Sequence, residues 1–263
     1  MRHQYARHVK LDPYPLRDHA ARMRPFVSIV TPTFNEGASV GELVERIRAA
    51  CDANEINYEH LIIDNDSTDG TREVLRDLAL RDPRVKLIFN NSNFGHIRSP
   101  YHALLQAQGD AVLLLASDLQ DPPELIPDLI DRWRAGAEIV FLVKRSSAES
   151  RLISIARKTY YRVLGRVTKV PLIPDATGAG IYDRSVIEVL RSIDDPYPYL
   201  RGLVVELGYR VETLPFDQPA RLNGKSKNGI PELYDMAMLG FTTYYRTPLR
   251  LMSATGFALA ALS

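Results

Sequence analysis

The sequence has little of several features that would assign a protein to a functional class directly. Among its 263 residues there is one cysteine, Cys51, which excludes an internal disulfide and a cysteine-based metal site. Its position in a helical pattern of apolar residues predicts a buried thiol. The formal net charge is only +1, whereas a general nucleic-acid-binding protein usually has a strong basic excess. We therefore expect no nucleic-acid partner.

Two familiar nucleotide-binding fingerprints are also missing. No GxGxxG follows the first strand-like segment, which weakens an assignment as a dinucleotide oxidoreductase. Gly224, Lys225 and Ser226 resemble the end of a P-loop, but Pro219 stands where that loop requires glycine. Residues 1–25 contain several arginines and no apolar core, so they predict a mobile basic tail rather than a signal peptide.

The chain has no apolar run long enough to cross a bilayer. From Leu249 it reads LRLMSATGFALAALS, with Arg250 as the only charged residue. A membrane-spanning helix needs about 20 apolar residues, and this run is shorter. It could form a terminal core helix, or it could begin a transmembrane helix.

Strand and helix patterns alternate along the first 145 residues. Apolar strand-like segments lie at 26–34, 58–64, 84–90, 110–117 and 137–143. Helices are predicted after a capping box from Ser39 to Glu42, over 71–80, from Ser99 with Pro100 as the first helical residue, and from about Leu125. Such alternation predicts an α/β fold with a Rossmann-like, mostly parallel sheet and helices on both faces.

The second half of the sequence is less regular. It predicts a basic amphipathic helix over 147–166, a glycine-rich segment over 175–183, helices at 185–192 and 199–207, a strand at 209–216, a basic loop at 221–229 and a last helix over 231–246.

Polar residues follow the first, second and fourth predicted strands. The segments are TPTFNE at 31–36, DNDSTDGT at 64–71 and ASDLQDPPE at 116–124. The carboxyl ends of parallel strands meet at one rim of a sheet, where ligands bind. Such oxygens can hold a nucleotide base, a ribose, or a hard cation on a diphosphate. In an extended chain Asp118 and Gln120 project the same way and could reach one ion, whereas Asp121 and Glu124 are expected to begin the next helix.

Five segments in order carry a resemblance to a known family. They are TPTFNE, IIDNDSTDGT, NFG, DLQDPPE and GKSKNG followed by LGFTTYYRTPLRL, and the resemblance that they carry extends over roughly residues 26–251. The set resembles family-2 glycosyltransferases of the A-type fold, and especially the polyprenyl- and dolichyl-phosphate sugar synthases. The resemblance implies inverting transfer of a sugar from a UDP- or GDP-linked nucleotide sugar to polyprenyl phosphate, with Mg²⁺ or Mn²⁺.

The resemblance also implies a domain organisation and a cellular location. Residues 1–25 would be the basic tail, 26–229 the catalytic domain, and 230–263 juxtamembrane helices and the start of a transmembrane segment. The enzyme would associate with the cytoplasmic face of a membrane, in cell envelope glycan biosynthesis. Whether the chain forms a homo-oligomer is left open.

The resemblance assigns roles by position. Nucleotide-sugar binding would involve Pro32, Asn35, Glu36, Asp64, Asp66, Asn93, Ser117 and Asp118. The metal would be held by Asp118 and Gln120. Catalysis would involve Asp118, Asp175 and Arg201. The acceptor and phosphates would contact Arg201, Arg221, Lys225, Ser226 and Lys227.

Two departures from the family pattern leave alternatives open. Relatives commonly have an acid where this chain has Ala116, so the metal is expected to depend on Asp118, Gln120, the diphosphate and water. Many relatives also have an aspartate near the Gly178–Gly180 segment, for which Asp175 is the nearest substitute. The alternatives are a family-2 transferase with a soluble glycan acceptor, and a non-catalytic nucleotide-sugar-binding scaffold.

Overall fold

The computed structural model describes residues 25–145 and 173–219, together with positions 238, 239 and 255. The strands are β1 Phe26–Thr33, β2 Asn57–Asp64, β3 Val85–Phe89, β4 Ala111–Leu114, β5 Ile139–Lys144, β6 Ala176–Asp183 and β7 Val211–Phe216. The helices are α1 Val40–Ala53, α2 Thr71–Arg81, α3 Gly95–Gln106, α4 Ile126–Arg134, α5 Arg184–Arg191 and α6 Leu200–Glu206, with a 3₁₀ turn at Pro123–Leu125.

The strands form one seven-stranded sheet in the order β3-β2-β1-β4-β6-β5-β7. β1 pairs in parallel with both β2 and β4, β2 with β3, and β5 with β7. β6 lies antiparallel between β4 and β5. The prediction of a mostly parallel α/β sheet is therefore confirmed.

Alternate residues of the strands contribute to two apolar layers, because successive side chains of a strand point to opposite faces. One layer packs under α1 and α4, where Leu43 and Trp133 are buried, and it also encloses Cys51, as predicted. The other packs under α3 and α5, where Leu104 and Ile187 are buried. Helices thus cover both faces of the sheet.

The start of α3 differs from the prediction. The helix begins at Gly95, not at Ser99, and Pro100 lies inside it. Asn93 Oδ1 accepts a hydrogen bond from the Gly95 N–H (2.8 Å), and Gly95 has a φ of +79°, which is accessible to glycine. The Ser99 hydroxyl instead accepts from Asn90 Nδ2 (3.1 Å), so it does not cap a helix.

The predicted capping box is also wrong. Ser39 occupies the N-cap of α1, but its hydroxyl makes no cap hydrogen bond. It donates to Glu36 Oε2 (2.9 Å) instead, since Glu36 lies within its reach where β1 leads into α1.

Residues 176–183 of the glycine-rich segment form strand β6, which the sequence pattern did not predict. Gly180 faces Phe141 of β5 and Leu114 of β4. A Cβ at Gly180 would lie only 2.2 Å from the Val140 carbonyl oxygen. The glycine that weakens the strand signal is therefore what lets this strand fit between its neighbours.

Several predictions fall outside the described residues. They are the helix at 147–166, the loop at 221–229, and the flanks 1–25 and 230–263 apart from a few positions. The domain boundaries therefore stay predictions. In the part of the chain that the structure describes, no helix combines the length and the apolar character that a membrane span requires.

Candidate active site

The ends of β1, β2 and β4 meet at one rim, as the parallel topology requires. Thr33 and Asp64, the last residues of β1 and β2, are direct partners across the sheet. The Asn65 N–H donates to the Thr33 carbonyl (2.9 Å), which continues the pairing past the end of β2. The Leu115 N–H bonds to the Val30 carbonyl (3.0 Å) beside β4. The rim lies where the chain order reverses between β1 and β4, which is where ligands bind in such sheets.

Asn35 joins the segments that follow β1 and β2. Its N–H donates to Ser67 Oγ (2.8 Å), and its Oδ1 accepts from the Thr68 N–H (2.8 Å). Its φ of +52° lies in the left-handed region, which asparagine tolerates better than most residues. Pro32 lies near the end of β1, three residues before Asn35, and is paired with Ile63 of β2.

Glu36 is fixed next to Asn35. Its N–H donates to Thr71 Oγ1 (3.0 Å) in the first turn of α2. The structure therefore places Pro32, Asn35 and Glu36 together at the rim, as predicted.

Asp64 is completely buried at the end of β2. Its Oδ2 accepts from Arg72 Nε (2.6 Å) and from the Ser67 N–H (3.2 Å). Its Oδ1 has no hydrogen-bond partner among the described residues. A buried carboxylate oxygen without a donor is costly, and it marks a place where a ligand N–H could bind.

Arg72 belongs to this site although sequence reasoning missed it. The hydrogen bond to Asp64 raises the pKa of Arg72 above its ordinary value. Its Nη2 also donates to the Asn90 carbonyl (2.6 Å) and lies 3.3 Å from Asp66 Oδ1. The signal that could have found it is an arginine in the first turn of the helix that follows a strand-end acid.

A group of asparagines extends the rim toward α3. Asn65 Nδ2 donates to Asn93 Oδ1 (2.7 Å), and Asn65 Oδ1 accepts from Asn90 Nδ2 (3.0 Å) and from the Phe94 N–H (2.9 Å). The structure thus brings Asn93 together with Asn65 and Asn90, two residues that the sequence analysis did not name.

The loop after β4 does not continue as an extended chain, so the expectation that Asp118 and Gln120 project together from a strand is wrong. Leu119 has a φ of +60°, and the Gln120 N–H donates to Asp118 Oδ1 (3.1 Å). Both residues lie in this turn, next to the buried Ser117.

Asp121 does not begin the next helix, in contrast to the prediction. Only 4% of it is exposed, and its Oδ1 has no hydrogen-bond partner within the described part of the chain. Burial, with the nearby charge of Asp118, raises the pKa of Asp121 to about 7, while Lys144 opposes the shift. Glu124 does lie in the turn that precedes α4, as predicted, where both of its oxygens bond Arg46 (2.9 and 2.8 Å).

Asp118 and Gln120 offer the kind of ligands that Mg²⁺ and Mn²⁺ prefer, namely carboxylate and amide oxygens. Among the described residues no three His, Cys, Asp or Glu side chains converge on a metal position. An ion held by Asp118 and Gln120 would need further ligands, such as a diphosphate and water, and this assignment stays a prediction.

Asp175 directly precedes β6, and Arg201 of α6 contacts the first residue of that strand. Arg201 Nη1 donates to the Ala176 carbonyl (2.6 Å), one residue from Asp175, and its guanidinium lies 5.5 Å from the centre of the Tyr199 ring. A Cβ at Gly178 would lie 3.6 Å from Arg201 Cδ, so the glycine keeps room for this side chain. Since β6 runs antiparallel to β4, its first residues lie on the side where β4 ends. Four further predicted residues, Arg221, Lys225, Ser226 and Lys227, fall outside the described part of the chain.

The fold and the rim define an α/β protein of the nucleotide-binding class. Residues 28–191 match the model of glycosyl transferase family 2, and the chain belongs to this family. It is therefore a glycosyltransferase of the kind that uses nucleotide sugars.

Curated relatives cover most of the chain. An uncharacterized glycosyltransferase of Bacillus subtilis (strain 168) is 32% identical over 234 residues, covering 89% of this chain and 72% of the relative. An undecaprenyl-phosphate 4-deoxy-4-formamido-L-arabinose transferase of Aeromonas hydrophila is 30% identical, with 90% and 73% covered. A bactoprenol glucosyl transferase of Shigella phage SfV is 28% identical, with 90% and 78% covered.

Solved structures support the A-type glycosyltransferase fold. Mannosyl-3-phosphoglycerate synthase from Rubrobacter xylanophilus matches with a TM-score of 0.62 at 20% identity, over 93% of this chain and 80% of that chain. Glucosyl-3-phosphoglycerate synthase from Mycobacterium tuberculosis, in complex with Mn²⁺, UDP and phosphoglyceric acid, matches with a TM-score of 0.57 at 20% identity, over 84% and 77%. At this identity the likeness concerns the fold alone.

Proposed function

We propose that this glycosyltransferase transfers a sugar from a UDP- or GDP-linked donor to a polyprenyl phosphate, with inversion and with Mg²⁺ or Mn²⁺, at the cytoplasmic face of a membrane. The observation that carries the proposal is the convergence of Asp64, Asp118 and Asn35 at one rim of the sheet. The relatives named for bactoprenol and undecaprenyl phosphate support the acceptor.

The donor would extend across the rim from β2 to β4. Its base would lie at Asp64, bordered by Pro32, Asn35 and Glu36, with Asp66 and Asn93 beside the nucleoside. Its diphosphate would lie over the loop with Ser117, Asp118 and Gln120. This order follows from the sheet, because β1 separates the two acidic ends by a single strand.

Asp118 and Gln120 would hold the divalent cation, which neutralises charge on the departing diphosphate. A related fold solved with Mn²⁺ and UDP supports such a cofactor. The hydrogen bond from the Gln120 N–H to Asp118 Oδ1 (3.1 Å) helps to hold the turn that carries both residues.

The acceptor phosphate needs positioning more than deprotonation. A phosphate monoester has a second pKa of about 6, so it is largely dianionic at neutral pH. An oxygen of the phosphate would attack the anomeric carbon as the bond from that carbon to the nucleoside diphosphate breaks, which inverts the carbon. Arg201, fixed on Ala176, would orient the phosphate, and Asp175 would lie beside it. Arg221, Lys225, Ser226 and Lys227 are proposed to contribute further contacts.

The test uses the full chain with a panel of UDP- and GDP-sugars, polyprenyl phosphate and Mn²⁺, followed by detection of glycolipid. We expect product with at least one donor. Asp118→Ala should lower turnover about 100-fold or more, as loss of a charge-stabilising group typically does. Asp175→Ala should have a much smaller effect. Asp128→Ala, on the exposed side of α4, is the matched control.

Two outcomes would contradict the proposal. Near-complete activity in both the Asp118→Ala and Asp175→Ala proteins would overturn the metal assignment. Absence of product with every donor, together with retained nucleotide binding, would favour the non-catalytic scaffold, for which Ala116 is the specific observation.

A further inference from the structure

The first half of β6 forms a bulge where it pairs with β5. The pairing shifts between two residues of β5, Phe141 and Val143, whose partners on β6 are Gly180 and Ala176. Three residues of β6 therefore face a single residue of β5. The middle one, Gly178, has a φ of +89°, which glycine adopts at little cost. A bulge bends its strand and redirects the groups on it, and bulges are frequent next to active sites.

Arg201 depends on this bulge for its position. Its Nη1 donates to the Ala176 carbonyl (2.6 Å), and a Cβ at Gly178 would lie 3.6 Å from its Cδ and 4.0 Å from its Nε. The side chain of Arg201 thus runs along the backbone of the bulge. Because this backbone supplies both the hydrogen-bond acceptor and the surface that the side chain packs against, a shift of the bulge would also shift the guanidinium.

Tyr182 holds the bulge from the interior of the protein. Its hydroxyl donates to the Gly178 carbonyl (3.0 Å). Its side chain is completely buried and meets the Phe141 ring edge to face, with the ring centres 5.9 Å apart. The charge of Arg201 opposes the rise in the pKa of Tyr182 that burial causes, which agrees with the closeness of the two side chains. Packing therefore fixes the ring, and the ring fixes the direction of one peptide group in the bulge.

The bulge also lies beside the loop that follows β4. Thr177 Oγ1 accepts from the Ala179 N–H (3.2 Å) inside the bulge. The side chain of Thr177 is also within hydrogen-bonding reach of Asp121 in that loop. The bulge therefore connects the loop proposed to carry the diphosphate with the arginine proposed to orient the acceptor.

We propose that Tyr182 is a positioning residue for the acceptor phosphate, because its hydrogen bond to the Gly178 carbonyl sets the backbone on which Arg201 rests. A phenylalanine would fill the same space in the apolar layer, so the packing of the core does not require the hydroxyl. The hydroxyl instead gives one buried carbonyl its donor and thereby its direction. This inference rests on the proposed transfer to polyprenyl phosphate and adds a residue that touches neither substrate.

The test is steady-state kinetics of the full chain with Mn²⁺, polyprenyl phosphate and the nucleotide sugar that gives the most product. In Tyr182→Phe the KM for polyprenyl phosphate should rise about 5-fold, which is the size expected for the loss of one hydrogen bond. The KM for the nucleotide sugar should change less than about 2-fold. A merely structural role would lower the folded fraction and hence the apparent kcat, and it would leave both KM values unchanged.

Tyr101→Phe is the matched control. Tyr101 is buried in the same apolar layer as Tyr182, and its hydroxyl also donates to a backbone carbonyl, that of Leu190 (3.1 Å). This bond joins α3 to α5, so its loss should leave the KM for polyprenyl phosphate unchanged. A double substitution tests whether Tyr182 acts through Arg201. In an Arg201→Lys background, which lacks the planar guanidinium, adding Tyr182→Phe should change this KM less than about 2-fold.

A second pair of variants keeps the inference testable should Tyr182→Phe fail to fold. Gly178 and Gly208 have similar φ values of +89° and +83°, so alanine strains the backbone at both positions. No described atom lies within 4 Å of a Cβ at Gly208, which is remote from the bulge in sequence. Gly178→Ala should raise the KM for polyprenyl phosphate about 5-fold, whereas Gly208→Ala should not.

The outcomes separate this inference from the proposed function. An unchanged KM for polyprenyl phosphate in Tyr182→Phe, an equal rise in both KM values, or equal effects of the two tyrosine substitutions would overturn the inference and leave the proposed function standing. Absence of glycolipid with every donor in the wild type would instead contradict the proposed function, and with it the inference.

Discussion

His60 gives the protein an acid sensitivity whose size can be worked out from the structure. The side chain is buried on β2, where its Nε2 lies 2.9 Å from Thr31 Oγ1, and its Nδ1 has no hydrogen-bond partner in residues 25–145 and 173–219. Burial lowers the pKa of His60 from 6.5 to about 3, although the charge of Asp82 opposes the shift. The folded protein therefore keeps this imidazole neutral across the whole mildly acidic range.

The sign of the effect follows from linkage between protonation and folding. The unfolded chain binds a proton at His60 below pH 6.5, whereas the folded chain does not until about pH 3. The stability that His60 contributes is thus complete above pH 6.5 and is lost as the pH falls toward 3. Since one pH unit in this window corresponds to about 1.4 kcal/mol, lowering the pH from 7 to 5 should cost about 2 kcal/mol of unfolding free energy.

Urea denaturation of the wild type and of His60→Gln at pH 7, 6 and 5 measures this contribution. Glutamine has no proton to gain, and its amide can still bond Thr31. The wild type should lose about 2 kcal/mol more than the variant between pH 7 and 5. His102→Gln is the matched control, because His102 is exposed on α3 and its loss leaves the buried pair intact. Parallel losses in the wild type and in His60→Gln would refute the reasoning.

Two further substitutions test how β6 is held in the sheet. Gly180→Ala should lower the unfolding free energy by about 3 kcal/mol, because its Cβ would lie 2.2 Å from the Val140 carbonyl oxygen. A loss of less than about 0.5 kcal/mol, measured by urea denaturation, would contradict this packing. Asp183→Ala should cost about 2 kcal/mol, since Asp183 accepts from the Ser185 N–H (2.9 Å) as N-cap of α5 and from Trp133 Nε1 (2.8 Å); Asp183→Asn, which keeps an acceptor, should recover part of the loss in the same assay.

Much of the fold could be predicted because the strands of the first half are apolar runs separated by amphipathic helices. β2 ends at Asp64 and α2 begins at Thr71, both as expected. The exceptions depend on contacts between distant segments. Ser99 followed by Pro100 is a typical helix start, yet the asparagine contact at Gly95 begins α3 earlier. β6 was not predicted, because its glycines weaken the pattern that marks a strand in a sequence. In the sheet the same glycines allow the neighbouring strands to approach closely.

The site residues also divide into those that the sequence could place and those that it could not. Asp64 and Asp118 could be placed at one rim because parallel strands all end on the same side. Arg72 was missed, because its contact with Asp64 depends on how closely the start of α2 approaches the end of β2. The burial of Asp121 could not be predicted either, because it depends on where β6 runs. The sequence pattern predicts at which rim of the sheet a strand ends, but it does not predict which side chains from other elements pack there.

Backbone strain shows which parts of the rim the fold holds in place. Among the described residues, four of the five non-glycine residues with positive φ lie there: Asn35, Asp66, Leu119 and Asp175. Leu119 is the most informative, because leucine disfavours this conformation by about 1–2 kcal/mol and has no polar side chain to compensate. It is 2% exposed and packs with the apolar layer under α1 and α4, and burying a leucine is worth about 1.5–3 kcal/mol. Burial therefore offsets the strain, so the buried Leu119 side chain stabilises the turn between Asp118 and Gln120.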